Sequence, residues 1–168
     1  MNLYNTVMIS KTIAGLIQNL EDNQRIIHEC FAVIPEEYLW ATPAPNINSI
    51  GVQVVHICGN LSQYILSGVA GKADVRDRPS EFKVKSWSKQ KVLDHMDEIV
   101  YQSIIILGQI SAEKAAKNIT VQCFHKPVIH AAIASISHFA QHVGQIIVIT
   151  KMHTGENLGL YKHLQLNG

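Results

Sequence analysis

Three histidines are the residues of this sequence whose spacing best suits metal chemistry. His138 and His142 are four residues apart, so on an α-helix their imidazoles lie one above the other on a single face. His56 belongs to an earlier apolar segment that is also predicted to be helical. Neutral imidazole binds divalent zinc, nickel and iron, and three such ligands leave coordination positions open. The pattern therefore indicates a catalytic rather than a closed structural metal site.

Both histidine-bearing segments carry further polar side chains in line with the histidines. Asn60 and Gln63 follow His56 at helical spacing, and Gln145 continues the row that the histidine pair begins. The flanking residues are apolar, so we expect both polar rows to be buried. Because an unpartnered polar group costs about 1 to 3 kcal/mol to bury, such rows need shared partners, water or a metal. These three amides are predicted to contact a substrate or to support the ligands.

Simpler interpretations of the histidines remain open at this point. A pair four residues apart also arises by chance in a chain with nine histidines, so this spacing alone is a weak signal. A core histidine bonded to a carbonyl, or one on an exposed helix face, would fit as well. His130 projects about 80° away from His138 and is not expected to be a ligand. The other histidines are expected to face solvent or to lie in loops: His28, His95, His125, His153 and His163.

Hydrophobic periodicity and helix-capping residues divide the chain into helices. Asn48 or Ser49 can cap the second helix, Ser88 can cap the third, and Pro127 suits the first turn of the fourth. The helices are predicted at about residues 3–34, 48–70, 88–110 and 127–155. A further helical turn is predicted towards residue 117, and "NITVQCFHK" is predicted to be extended.

The fold class follows from these elements. Few signals favour strands, and we find no internal repeat, so the chain is predicted to be a single all-α domain over residues 1–168. The polar segment 72–87 is a long connection after the second helix. We therefore expect a four-helix bundle with one long crossover connection.

The crossover contains a cluster of charged residues. Its stretch "ADVRDRPSEF" places Arg76, Arg78 and Glu81 near one another. Folded over the mouth of the bundle, the arginines could bind a carboxylate by bidentate contacts. A solvated loop is the alternative interpretation.

Composition narrows the class of partner. Fourteen basic and thirteen acidic residues give a net charge of +1 without any block of like charge, which argues against nucleic acid and anionic lipid. No run of apolar residues reaches the roughly 18 of a transmembrane helix, so no membrane segment is expected. An odd number of widely spaced cysteines in apolar surroundings predicts reduced, buried thiols and a cytoplasmic protein. These cysteines are Cys30, Cys58 and Cys123.

Two stretches of the chain resemble the DinB-like superfamily, also described as DinB/YfiT-type metalloenzymes. They are "NSIGVQVVHICGNLSQYILSGVAGKADVRDRPSEF" and "SISHFAQHVGQIIVITK". The resemblance extends over about residues 40–151 and depends on the "GNL" after the first histidine, the arginine-bearing crossover and the "GQI" after the histidine pair. It implies a four-helix bundle with one long crossover, and a metal held by His56, His138 and His142.

The resemblance also implies a class of activity. Members of the superfamily with known activity use a low-molecular-weight thiol, such as mycothiol, bacillithiol or glutathione, in transfer or isomerisation reactions. We therefore expect a hydrolase or a thiol S-transferase that uses zinc, nickel, iron or manganese. It would act on a small-molecule substrate, with a low-molecular-weight thiol as cosubstrate. Arg76 or Arg78 would steer an acidic thiol or an electrophile. The alternative is a non-catalytic bundle that binds a metal or small ligand, such as a stress-related accessory protein.

Apolar side chains also predict an assembly. They are more numerous around the first and fourth helices than one internal face requires. A helix-mediated homodimer is therefore predicted.

Overall fold

Four long helices dominate the computed structural model of the chain, which describes residues 3–160. The second of them is an α-helix that continues directly into a π-helical segment. The elements in chain order are α1 (Leu3–Val33), a 3-10 turn (Glu36–Tyr38), α2 (Ile50–Leu61), the π-helical segment (Ser62–Val69), α3 (Arg78–Glu81), α4 (Lys89–Gly108), α5 (Ala112–Ala116), β1 (Asn118–Val121), β2 (Phe124–Pro127) and α6 (Val128–Thr154).

Side-chain caps begin two of the long helices where the sequence predicts them. The Ser49 hydroxyl accepts a hydrogen bond from the backbone N–H of Val52, and the Ser88 hydroxyl accepts one from Lys91. Each bond satisfies a donor that the first helical turn would leave unpaired. Gly155 ends α6 with a φ of 69°, a left-handed conformation that glycine adopts without a steric penalty.

The long helices share one apolar core. Helix α1 packs against α4 and α6, and α2 packs against the same two helices. This arrangement, with residues 70–88 as the long connection between the second and third long helices, confirms the predicted four-helix bundle. Large side chains that are fully buried in the core include Leu20, Ile27, Phe31, Ile57, Leu61, Met96, Leu107 and Phe139.

Three local elements of the structure differ from the predicted helices and extended segment or define them more closely. The end of the second helix, predicted as ordinary helix to about residue 70, is π-helical from Ser62 to Val69. The turn predicted towards residue 117 is a separate helix, α5, because Ser111 caps a new start there. The extended segment is confirmed as an antiparallel hairpin of β1 and β2, whose turn places Gln122 at a φ of 55°.

The environment of the cysteines corrects one prediction. Cys30 and Cys58 are buried and free, as expected. Burial raises the pKa of the Cys58 thiol far above its usual range, so that thiol stays protonated. Cys123 is exposed, which contradicts the prediction of a buried thiol, because it lies in the turn of the hairpin.

The histidines outside the predicted site have mixed environments. His130 is exposed on α6, as expected for a residue that is not a ligand. His95 and His153 are partly buried and pack against Trp87 and Tyr38, respectively. The prediction for His163 lies outside the described residues.

Helix α6 is 27 residues long and apolar. By length and composition alone it could cross a membrane, because its most apolar window has a mean hydropathy of 1.3. The core helix of a helical bundle passes the same test, and α6 packs against α1 and α2.

Candidate metal centre

The three predicted ligands converge in the structure. The ligand nitrogens of His56, His138 and His142 all lie within 4.8 Å of one another. His56 Nε2 and His138 Nε2 are 3.2 Å apart. Two nitrogens bound tetrahedrally to one zinc ion at about 2.1 Å would be roughly 3.4 Å apart. This pair therefore already has a spacing that suits one shared ion.

Hydrogen bonds orient two of the imidazoles for coordination. His56 Nδ1 lies 2.8 Å from Glu81 Oε2, and His142 Nδ1 lies 3.0 Å from Gln53 Oε1. The carboxylate can only accept, and Gln53 uses its amide nitrogen to donate to the carbonyl of Asn48. Both imidazoles therefore donate from Nδ1, which assigns the lone pair to Nε2 in each. Coordination of a metal through Nε2 needs this tautomer.

The surroundings also favour the neutral form of the three imidazoles. Burial is the largest cause that lowers the pKa of His56, His138 and His142. The pKa of His142 falls to about 4, since the neighbouring histidines add to the effect of burial. For His56 the hydrogen bond that it donates to Glu81 opposes the effect of burial on the pKa without reversing it. Near neutral pH the three imidazoles are therefore neutral and able to bind a cation.

A polar cavity of about 500 Å³ opens beside the histidines. Four of the five residues predicted to contact a substrate or support the ligands line it. Asn60 Oδ1 accepts a hydrogen bond from Ser135 Oγ at 3.0 Å, which joins α2 to α6. The lining residues are His56, Asn60, Gln63, Arg76, Arg78, Gln122 and His138.

Gln63 connects three parts of the cavity wall. Its Oε1 accepts hydrogen bonds from Arg76 Nη1 and Gln122 Nε2, each at 2.9 Å. Its Nε2 donates to Asp74 Oδ2 at 2.7 Å. The π-helical segment, the crossover and the hairpin therefore meet at one side chain.

The two arginines of the crossover have different environments. The side chain of Arg76 is only 4% exposed and donates to Glu81 Oε1 at 2.6 Å, so a solvated loop is wrong for this pair. Arg78 is exposed and lies over the ring of Phe82, 5.6 Å from the ring centroid. Among residues 3–160, no carboxylate forms an ion pair with Arg78. Its guanidinium is available to an anion in the cavity.

The structure does not bring Gln145 to this cavity. Gln145 is exposed in a separate groove together with Asn48. Asn60, late in α2, is hydrogen-bonded to Ser135, early in α6, whereas Gln53, early in α2, is hydrogen-bonded to His142, later in α6. The two helices therefore run antiparallel. Gln145 therefore lies level with the residues that precede α2, beyond the end of the polar row of that helix.

Three residues of the site were missed or left unassigned by the sequence analysis. Gln53 has a usable signal, because it is a polar residue one helical turn before His56 in an otherwise apolar segment. Glu81 was part of the crossover cluster but was not assigned to a ligand. Gln122 has no sequence signal, since only the hairpin turn directs it to the cavity.

Comparison with protein families assigns the chain to one of them. The model of the family DUF1572, described as a protein of unknown function, matches residues 9–164. The chain belongs to this family. Among proteins of curated function, none matches this DUF1572 protein.

Solved structures support the fold of this DUF1572 protein. A DinB-like protein from Bacillus cereus has 18% identity and a TM-score of 0.66, with 83% of this chain and 91% of that chain covered. A DinB-like protein from Bacillus subtilis has 15% identity and a TM-score of 0.65, with coverage of 85% and 94%. A conserved protein from Enterococcus faecalis has 20% identity and a TM-score of 0.67, with coverage of 93% and 99%. The bundle is therefore DinB-like, as the resemblance implied.

Proposed function

We propose that this DUF1572 protein is a divalent-metal-dependent enzyme that acts as a hydrolase or as a low-molecular-weight-thiol S-transferase. His56, His138 and His142 would hold zinc, nickel, iron or manganese. One observation carries the proposal: three neutral imidazoles converge beside an open polar cavity. Within residues 3–160, no further histidine, cysteine or carboxylate joins this cluster, so coordination positions would stay open.

The chemistry of the donor set fits such a role. When bound, a divalent cation lowers the pKa of a coordinated water or thiol and so supplies a nucleophile near neutral pH. Glu81 and Gln53 hold the imidazoles of His56 and His142 in the tautomer that leaves Nε2 free. The protein would therefore supply three uncharged ligands, two of them oriented by hydrogen bonds.

The cavity wall favours a small polar or anionic substrate. The guanidinium of Arg78 has no acidic partner in the described part of the chain, and it lines the cavity together with the amides of Asn60 and Gln63. A guanidinium binds a carboxylate in bidentate geometry, whereas the amides both donate and accept. We propose that Arg78 orients an acidic thiol or electrophile, while Arg76 is retained by Glu81.

Metal titration tests the ligand set. Zinc, nickel, iron and manganese are titrated separately into chelator-treated protein, and the bound metal is counted by elemental analysis. We expect one equivalent to bind and expect His138→Ala to lose it. His130→Ala is the matched control, since His130 is exposed on the same helix. The proposal fails if no metal binds at one equivalent, or if both variants bind it equally.

A reaction panel tests the type of chemistry. The metal-loaded protein is incubated with several cellular thiols and electrophiles, and with ester and amide substrates. Thiol adducts that depend on the three histidines would establish the transferase, and hydrolysis without thiol consumption would establish the hydrolase. Metal binding without turnover across the panel would favour the non-catalytic binding protein instead.

We also propose that the chain forms a homodimer through its first and fourth long helices, α1 and α6. Support comes from exposed apolar side chains on both helices, among them Val7, Met8, Val148 and Met152. Val148 and Met152 line one groove together with Ile47, and an exposed apolar patch of this kind marks a contact surface. The cytoplasmic location stays a prediction from the free cysteines.

A further inference from the structure

Glu81 is a buried carboxylate that the crossover delivers to one ligand of the proposed metal site. It is 7% exposed, and both of its oxygens accept hydrogen bonds. Oε2 accepts the hydrogen bond from His56 Nδ1 at 2.8 Å, and Oε1 accepts from Arg76 Nε at 2.6 Å. Arg76 Nη2 also donates to Oε2 at 3.0 Å. A buried charge without partners is unfavourable, so this arrangement needs all three contacts.

The short helix α3 determines where this carboxylate lies. The side chain of Asp77 accepts a hydrogen bond from the backbone N–H of Ser80, which caps the helix, and Pro79 lies in its first turn. Both features favour a helical start at this point of the crossover. Directly after Glu81, the ring of Phe82 packs against the His56 imidazole with a centroid distance of 5.2 Å. The crossover therefore contacts His56 through both a charge and a ring.

Gly59 provides the space that the carboxylate occupies. It lies on α2 one turn after His56, and a Cβ atom at this position would overlap Glu81 Oε1. The same Cβ would come within 3.1 Å of Arg76 Nε. Any other residue at position 59 would therefore displace the carboxylate from the helix surface. A glycine in a helix interior lowers helix stability, so its presence here calls for a specific reason.

We propose that Glu81 is a positioning residue for the ligand His56, held in place by Arg76 and accommodated by Gly59. This inference rests on the proposed metal site and assigns a role to the crossover within it. Glu81 holds the hydrogen on His56 Nδ1, turns Nε2 towards the shared ion, and increases the electron donation of the imidazole. Residues that support metal-bound histidines in this way change metal affinity about 10- to 100-fold when replaced.

Zinc affinity measures the effect directly. The affinity of the full chain is determined by competition with a chromophoric chelator for the wild type, Glu81→Gln and Glu81→Ala. We expect about tenfold weaker binding for Glu81→Gln, which keeps an acceptor oxygen but loses the charge, and about 100-fold for Glu81→Ala. Unfolding of the metal-free variants is followed in parallel, because Glu81→Ala leaves Arg76 buried without its acidic partner.

A pair of glycine variants tests the position of the Glu81 carboxylate without changing its charge. Gly59→Ala keeps Glu81 and Arg76 but removes the space for the carboxylate, so about tenfold weaker zinc binding is expected. Gly15→Ala is the matched control, because Gly15 is also inside a long helix and a Cβ there would meet nothing within 4 Å. The control should bind zinc like the wild type and unfold no more easily.

The tautomer of His56 gives a readout without metal. Long-range proton–nitrogen spectra at about pH 8, where imidazole is neutral, report which ring nitrogen carries the hydrogen. We expect Nδ1–H in the metal-free wild type and in Gly15→Ala. In Glu81→Ala the hydrogen should move towards Nε2, the tautomer that a free histidine side chain favours in water.

The outcomes distinguish this inference from the proposed function. An unaltered His56 tautomer in Glu81→Ala, or equal zinc affinity in Gly59→Ala and Gly15→Ala, would overturn the role of Glu81 even if the metal site is real. Failure of the wild type to bind any metal would overturn the proposed function. In that case the metal-free spectra still decide whether Glu81 sets the tautomer.

Discussion

Two of the concave surfaces along α6 differ in what lines them. The cavity beside the histidines, of about 500 Å³, is lined by imidazole, amide and guanidinium groups. The second groove, of about 620 Å³, is lined partly by exposed apolar side chains that include Ile47, Val148 and Met152. The larger of the two is therefore the one that lacks imidazole and guanidinium groups. Convergent, mutually bonded polar groups identify a candidate site better than cavity size does.

The difference between the two surfaces originates in the helix opposite α6. Along the cavity, α2 presents Gln53, His56 and Asn60 to α6, and each has a partner there. Beyond the start of α2, the loop that contains Asn48 faces α6 instead. Helix α6 thus contributes to a polar site where it faces α2, and to an apolar groove where it faces the loop before α2.

The largest expected effect is a difference in zinc affinity between a variant at the metal site and a variant in the apolar groove. His142→Ala removes a ligand, so zinc affinity should fall at least about 100-fold. Gln145→Ala, three residues further along the same helix but in the groove, should leave the affinity unchanged. Both are measured by chelator competition. A similar loss in the two variants would mean that the surfaces are not functionally distinct.

Acid should destabilise the metal-free protein by protonating His142. The pKa of His142 is about 4 in the folded protein and 6.5 for an ordinary histidine. Between these pH values the unfolded chain binds more protons, so the free energy of unfolding decreases as pH falls through this window. The loss should be about 1 to 3 kcal/mol, limited by partial solvent exposure. Urea denaturation at several pH values measures it, and His142→Gln should lose this component of the pH dependence.

The neutral partner of His142 should contribute less than the ligand itself. Gln53→Ala removes the acceptor for His142 Nδ1, so about tenfold weaker zinc binding is expected. Gln141→Ala is a suitable control, because Gln141 is exposed beside His142 and lines the groove. Equal affinities for the two glutamine variants would show that the Gln53 contact does not orient the ligand.

The smallest effect is expected in the apolar groove. If the α6 residues of this groove take part in the proposed homodimer, Val148→Ala should raise the dimer dissociation constant about threefold, because less apolar area is buried. Sedimentation across a dilution series measures the constant, and zinc affinity should not change. A wild type that is monomeric at all concentrations would contradict the dimer.

Much of the architecture could be predicted because the relevant signals are local. Ser49 and Ser88 cap helices at the expected positions, and the spacing of His138 and His142 places them on one face of α6. The same local reasoning failed for Gln145, whose helical position matches the histidines but whose surroundings do not. Periodicity describes one helix at a time and carries no information about where its neighbour begins.

The sequence by itself determined the helices, the residue types that suit a metal and the polar rows that carry them. Only the tertiary structure decided that Glu81, 25 residues from His56, and Gln53, 89 residues from His142, are the acceptors that orient these ligands. The reason is physical. Helical faces follow from contiguous residues through the 3.6-residue turn, whereas contacts between distant residues depend on how helices and the crossover pack together.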